Sequence, residues 1–421
     1  MKLALHIHKI SRVDFGEDTK LQGHTLFINA DELIDAISRD AGGVVAEVVV
    51  CRPGEPVRIT NILDIVEPRA KSGGNGGIFP GFLAPPKKTG KGITKVLKGV
   101  AVIEVGAIPQ VQEGLIDMGG PGARYSPFAA TTNAALVCAP SAGMKMPEFE
   151  RHTRLAGLRA SAYLAETALR KEPDEIELFE LDLEDSAMGK ERDLNRIAYV
   201  YMLQSQGFVR DTFFYGLSMR ELSPALIHPN DVMDGAIVSD NYVVPANRNP
   251  TYLHLNNPVI RKLFLLHGTD LLFSGVVICN EQSRLSDKEK TALEVAEILE
   301  RLDTDGVIIT KEGGGNADTD LMLMCRTCES RGIRTVLIGN ESAGSDGSDP
   351  SLADSTPEAD AFVSAGNIDE TVRLEPAQKV IGRGILPGIE GDLRGGFTVP
   401  LARINGAANL LGYGDLTSRF H

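Results

Sequence analysis

Two groups of side chains in this sequence have the types and spacing that chemistry requires. The first is rich in acids and amides. It comprises Asn280-Glu281, the run Glu312-Gly313-Gly314-Gly315-Asn316 with Asp318 and Asp320 behind it, and Asn340-Glu341-Ser342. Each follows a short β-branched stretch, and Gln204 and Gln206 follow another, Ile197–Leu203. In an open parallel sheet ligands bind beyond the carboxyl ends of the strands, so groups leaving adjacent strands would line one rim. Helix capping and turn formation explain any one of them, but all the strands end the same way, which favours a site. Phosphate does not suit it: no Gly-x-Gly-x-x-Gly fits, no Lys-Ser/Thr follows the glycines, and Glu312, Asp318 and Asp320 would repel an anion. A cationic amine or a bound cation suits it better. Arg124, in GPGARYSPF, offers either a bidentate contact to a carboxylate or a structural ion pair.

The second group lies in the middle segment 228–258, HPNDVMDGAIVSDNYVVPANRNPTYLHLNNP. So polar a run is not expected as a core helix or strand, because its hydrogen-bonding groups would lack partners once buried. Long loops inside compact domains are functional or disordered, and Val232, Met233, Ile237 and Val238 argue for order. His228 and His254 flank the Asn241-Tyr242 junction as candidate general acids, with a satisfied, partly buried histidine as the plainer alternative. Cys325 and Cys328 have redox-dithiol spacing, yet sit mid-helix rather than at a helix N-terminus, where a thiol pKa falls. Cys325 is expected to face the core and Cys328 to lie nearer the surface. One such pair makes no zinc site alone, and no metal centre is expected.

The elements that must position these groups fall into two parts. Residues 1–150 read as a strand-rich domain, from short β-branched stretches such as Val44–Val50, Val57–Ile62 and Val96–Val105. One helix is expected at Asp31–Ile37, capped by Asp31. The Gly/Pro-rich tract 71–92 reads as a lid or a plain linker. Residues 151–421 alternate helix and strand: helix Leu155–Leu169, strand Ile197–Leu203, strand Leu271–Cys279, helix Ser286–Leu302 with a Ser286/Glu289 capping box, strand Gly306–Thr310, helix Thr319–Ser330 ended by Gly332, and strands at Thr335–Ile338 and Ala361–Val363. The fold class is therefore α/β: a strand-rich N-terminal domain, then a doubly wound, mainly parallel sheet with helices on both faces.

Composition narrows the partners. Lys plus Arg (43) against Asp plus Glu (57) gives a net charge of −14, which disfavours nucleic acid and anionic membranes. No apolar run approaches the ~20 residues of a membrane span. Five cysteines cannot all pair and show no extracellular framework, so a reducing cytoplasm is expected.

Several long strings in the chain resemble one family. They include VDFGEDTKL, RPGEPVRI, QEGLIDMGGPGARYSPF, RLAGLRASAYLAE, AYVYMLQSQG, the middle segment, GGGNADTDLMLMC, SLADSTPEADAFVSAGN and INGAANLLG. Together they resemble the component B precursor subunit of the glycine/sarcosine/betaine reductases. The resemblance implies a heteromeric complex with a Cys- or selenocysteine-bearing partner subunit and a small carrier protein, component A. Its substrates would be small amino or ammonium acids whose C–N bond is cleaved reductively. It also implies self-cleavage at an Asn-Cys bond and a pyruvoyl group made from the Cys. This chain has Tyr242 at that position, so neither cleavage nor the pyruvoyl cofactor is expected. On this reading Asn241, Tyr242, His228 and His254 are the catalytic candidates. Glu312, Asn316, Asp318, Asp320, Asn280, Glu281 and Arg124 are the substrate-binding ones. The alternative is a non-catalytic scaffold or ligand-binding subunit that positions a partner reductase.

Overall fold

The largest sheet among the described residues has seven strands, in the order Ala225–Ile227, Leu272–Asn280, Arg196–Leu203, Gly306–Thr310, Arg334–Glu341, Phe362–Asn367, Thr417–Arg419. The computed structural model describes residues 1–106, 108, 114–183, 194–206, 212–240, 244–413 and 417–419. The five inner strands run parallel and the two outer ones antiparallel. Apolar, β-branched runs buried on both faces are what parallel strands require, and every residue of Leu272–Asn280 is buried.

From Arg196–Leu203 the chain steps to Leu272–Asn280 on one side, then crosses to Gly306–Thr310 on the other. That reversal makes the gap between Leu203 and Thr310 a topological switch point.

Helices Leu285–Arg301 and Asn316–Glu329 cover one face, packing Val295, Leu299, Leu321 and Cys325 on Val200, Met202 and Ile309. The opposite face presents Tyr199, Tyr201 and Phe273 to helix Pro258–Leu266 and to Leu3, Ile59 and Ile103 of the N-terminal part. One apolar core thus joins residues on either side of position 150. No helix among the described residues is long and apolar enough to cross a membrane.

The N-terminal part is strand-rich, with one four-stranded sheet built on Lys2–Lys9 and another on Thr132–Cys138. Two expected strands are each divided by a left-handed residue, which ends extended pairing. Asn61 (φ 56°) separates Val57–Thr60 from Ile62–Val66, and Gly99 (φ 94°) separates Gly92–Lys98 from Val100–Gly106. Two expected caps are corrected. Helix Ala30–Ala41 is capped by Asn29, whose side chain accepts from the Asp31 and Glu32 N–H groups, and Asp31 lies in the first turn. Helix Leu285–Arg301 starts one residue before Ser286 and has no side-chain cap, so the capping box does not form. A serine already inside the first turn is misplaced for it.

The tract 71–92 is packed rather than free. Ile78 and Phe79 are buried against Val66, Leu158 and Val238. Asp234 ties the tract down by accepting from Thr89 Oγ1 (2.6 Å), the Gly90 N–H (2.8 Å) and Thr94 Oγ1 (2.5 Å), with Lys71 paired to the same carboxylate.

Candidate functional site

The carboxyl ends of the parallel strands meet at one rim, and the middle segment lies across it. The expectation that this segment stays outside the core is overturned. Asn230, Asp234, Ser239, Asn249, His254 and Asn257 are all buried, and the segment forms helices Pro229–Met233 and Thr251–Leu255 and strand Ile237–Val238. Its polarity is what permits the burial, because side chains supply the partners that a sheet ladder would otherwise give. Asn230 Nδ2 donates to the carbonyls of Gly90 (3.2 Å) and Phe179 (3.1 Å), and Asn257 Oδ1 accepts from the Ile260 N–H (3.0 Å).

Glu312 is the hub. Its Oε2 accepts from the Gln204 N–H (2.9 Å) and Thr212 Oγ1 (2.5 Å), and its Oε1 from the Asn249 N–H (3.0 Å). The Glu312 N–H in turn donates to Glu281 Oε1 at 3.0 Å. Burial pushes the Glu281 carboxyl well upward, helped by the nearby Asp320 and Glu312. Asp318 pairs with Lys311 at 2.8 Å, and Asp320 pairs with Lys288. The rim is therefore not the bare acidic wall that the sequence suggested: two of its carboxylates are neutralised by lysines, one from a strand end and one from helix Leu285–Arg301. Asn280 is buried at its strand end, and Asn316 is exposed at the start of its helix.

His254 belongs to this rim. Its Nδ1 lies 2.6 Å from the Tyr201 hydroxyl and its Nε2 3.1 Å from Ser239 Oγ and 3.7 Å from Glu312 Oε1. Ser239 Oγ donates to the Asn249 carbonyl, so the network assigns the proton to Nε2 and makes Nδ1 the acceptor. Burial lowers the His254 pKa to about 4, against the pull of Glu312. The ring is neutral near pH 7, and its contact with Glu312 is a dipole contact rather than an ion pair. His228 is placed elsewhere: it caps helix Pro229–Met233, its Nε2 lies 3.1 Å from the Leu181 carbonyl, and burial lowers it to about 4 as well. Asn241 and Tyr242 lie outside the described residues.

Arg124 is exposed and sits over the Tyr125 ring at 4.5 Å. It lines a cleft of about 920 Å³ with Glu370, Tyr413, Asn409 and the strand end Ala365-Gly366-Asn367. Asn409 Nδ2 donates to Asn249 Oδ1 (2.8 Å), which links the cleft wall to the segment that holds Glu312. Of the substrate-binding candidates, Arg124 alone lines this cleft. Sequence reasoning missed Glu370, Asn367 and Asn409. A signal was present, since the strings QEGLIDMGGPGARYSPF, SLADSTPEADAFVSAGN and INGAANLLG supply three of the walls.

Cys328 is fully buried, not near the surface, as is Cys325. Burial pushes their thiols up to about 12 and about 11, and Cys325 Sγ lies 3.2 Å from Thr335 Oγ1. Thiols held protonated do not suit dithiol redox chemistry. No cluster of three or more His, Cys, Asp or Glu placed to hold a metal occurs among the described residues.

A family model described as glycine/sarcosine/betaine reductase component B subunits matches residues 1–419. The chain is 42% identical over 419 residues to the glycine reductase complex component B subunits alpha and beta of Acetoanaerobium sticklandii, covering 97% of each chain. It is 40% identical over 426 residues to the protein of the same description from Peptoclostridium acidaminophilum, covering 100% of both. To that organism's sarcosine reductase complex component B subunit alpha it is 40% identical over 428 residues, again covering 100% of both. No solved structure matches.

Proposed function

We propose a role for this chain that starts from its family: it belongs to the glycine/sarcosine/betaine reductase component B subunits. In this reading the chain is the substrate-holding subunit of a reductase complex that cleaves the C–N bond of a small amino or ammonium acid. The carrying observation is the cleft, which sets the Arg124 guanidinium and the Glu370 carboxylate around one space beside a parallel-strand end. A zwitterionic acid needs that pair: a planar donor fork for its carboxylate and an anion for its ammonium group.

In this reading the chain also works as one uncleaved polypeptide. Self-cleavage begins with attack of the residue-242 side chain on the preceding carbonyl through a five-membered ring. The phenol oxygen of Tyr242 lies across a rigid ring from its own nitrogen, and its Cβ carries no leaving group. The residue present does not fit a pyruvoyl precursor, and in this reading the chain acts without that group. The nucleophile for C–N cleavage is likewise external, because all five cysteines are buried. A thiolate or selenolate on a partner, either the Cys- or selenocysteine-bearing subunit or a component-A-like carrier, supplies it, displacing the amine and taking up the carboxymethyl fragment. The unpaired thiols fit a reducing cytoplasm.

The satisfied state of Glu312, Asp318 and Asp320 favours a second reading, a scaffold that only positions the partner enzyme. Turnover by the complex reconstituted with its partner subunit separates the two. Arg124→Ala is expected to raise KM by about 10- to 100-fold, the worth of a lost charged hydrogen bond of roughly 1.5–3 kcal/mol. Unchanged kinetics in both Arg124→Ala and Glu370→Gln would leave the scaffold reading standing.

A further inference from the structure

At the switch point, two oxygen acceptors meet at Gly313 and a third faces the adjacent Gly314, and none of the three has a donor to serve it. They are Gln204 Oε1, Glu281 Oε2 and Asn247 Oδ1, each shielded from solvent and without a hydrogen-bond partner. Glu281 as a whole is 1% exposed. The side of Gly313 that lacks a side chain faces two of them. A Cβ built there would lie 2.8 Å from Gln204 Oε1 and 3.4 Å from Glu281 Oε2, while one on Gly314 would lie 3.3 Å from Asn247 Oδ1. Gln204 is oriented by its own amide, whose Nε2 donates to the Gln206 carbonyl (2.9 Å), leaving Oε1 aimed at the turn. The Asn247 residue is held there because its backbone carbonyl accepts from the Gly313 N–H at 2.7 Å. Gly314, Gly315 and Asn316 are exposed, so the turn opens to solvent.

Charge adds a second argument. Glu281, Glu312, Asp318 and Asp320 are buried together, with Lys288 and Lys311 as the paired lysines. Glu312 is stabilised by three donors, but Glu281 has one N–H and an orphaned oxygen. Leaving a buried acceptor unserved is costly. A proton on Glu281 would serve one neighbouring oxygen and leave the other bare, whereas a cation seated at the turn can be shared among the three. We propose that Glu281, Gln204 and Asn247 form a binding site for a compact monovalent cation at the Gly313–Gly315 turn. One carboxylate and two amide carbonyls make a hard, all-oxygen ligand set whose charge a monocation balances.

Two guests share this chemistry: an alkali metal ion, and the primary ammonium group of a bound amine. The first stands independently of the substrate reading above; the second rests on it. Thermal unfolding of the full chain at constant ionic strength, with choline chloride as the balancing salt, tests the site. Potassium, sodium or methylammonium is expected to raise the midpoint saturably by roughly 2–4 °C. Glu281→Gln and the milder Asn247→Ala should both abolish that shift, and Arg124→Ala should leave it intact. A response to potassium or sodium identifies a metal site, and a response to methylammonium alone identifies an ammonium subsite. No shift with any of the three, or an equal shift in Glu281→Gln and Asn247→Ala, overturns the proposal whatever the fate of the Arg124 cleft.

Discussion

The Tyr201 hydroxyl meets Nδ1 of His254 at 2.6 Å, joining the inner strand Arg196–Leu203 to the polar segment that covers its end. With the hydroxyl donating, the ring is uncharged, and burial favours that state by holding the His254 pKa near 4 instead of 6.5.

A pH dependence of stability follows. In the unfolded chain the ring takes up a proton as pH falls below its ordinary value, while in the folded chain it does so only near 4. Stability is therefore whole above pH about 6.5 and is lost as pH falls from there toward 4, by about 3 kcal/mol for this one group. Denaturant midpoints measured at pH 7 and 4.5 should show this loss as a difference between chains: the pH 4.5 midpoint, taken relative to pH 7, should stand higher in His254→Gln than in the parent. An equal relative midpoint in the two chains would refute the assignment.

Acids around Arg154 act in the opposite direction. Burial raises the carboxyls of Asp64, Glu104 and Glu150, and both Glu104 oxygens lack a hydrogen-bond partner. The folded chain then holds protons that the unfolded chain releases, so their contribution to stability declines as pH rises above the ordinary carboxylate range. Glu104→Gln keeps the shape and removes the charge. Its unfolding midpoint at pH 9 should lie closer to its pH 6 value than in the parent chain.

Arg58 anchors the segment that carries the antiparallel strand pair Thr371–Leu374 and Phe397–Pro400. Fully buried, it binds Asp117 at 2.6 and 2.9 Å and donates to the carbonyls of Leu393, Glu375 and Gly395 at 2.6, 2.8 and 3.0 Å. Arg58→Met would strand the Asp117 carboxylate, at a cost of about 3–5 kcal/mol. Limited proteolysis should then cut between residues 370 and 400 sooner than in the parent chain; an unchanged cleavage rate would contradict the anchor.

The cysteines should be silent to a thiol reagent in the native protein at pH 8 and all react in denaturant, since each is buried and unpaired. Rapid native labelling of Cys325 or Cys328 would restore the dithiol reading.

Intact mass under denaturing conditions should give one species of 45.2 kDa. A second species with a blocked N-terminus at residue 242 would show that the phenol argument fails.

The parallel sheet was legible because its strands are apolar on both faces: Gly306–Thr310 appeared at its true bounds. The polar middle was not. Asn230 and Asn249 look like loop residues until their partners, which come from Gly90, Phe179, Glu312 and Asn409 far along the chain, are in place. The rim was half legible. Glu281, Glu312, Asp318 and Asp320 do gather there, but the sequence could not show that Lys288 and Lys311 reach them, because those pairings depend on how a helix seats against a strand end. The cleft behind Arg124 draws on three distant strings, so no local spacing announces it.

Strand order has a consequence for handling the protein. Arg196–Leu203 precedes position 241 in the chain, yet it is flanked on both sides by strands that follow it, Leu272–Asn280 and Gly306–Thr310. A nick at that junction would leave interlocked halves that co-migrate through gel filtration as though whole. Only a solvent that dissolves the interleaved sheet would pull them apart.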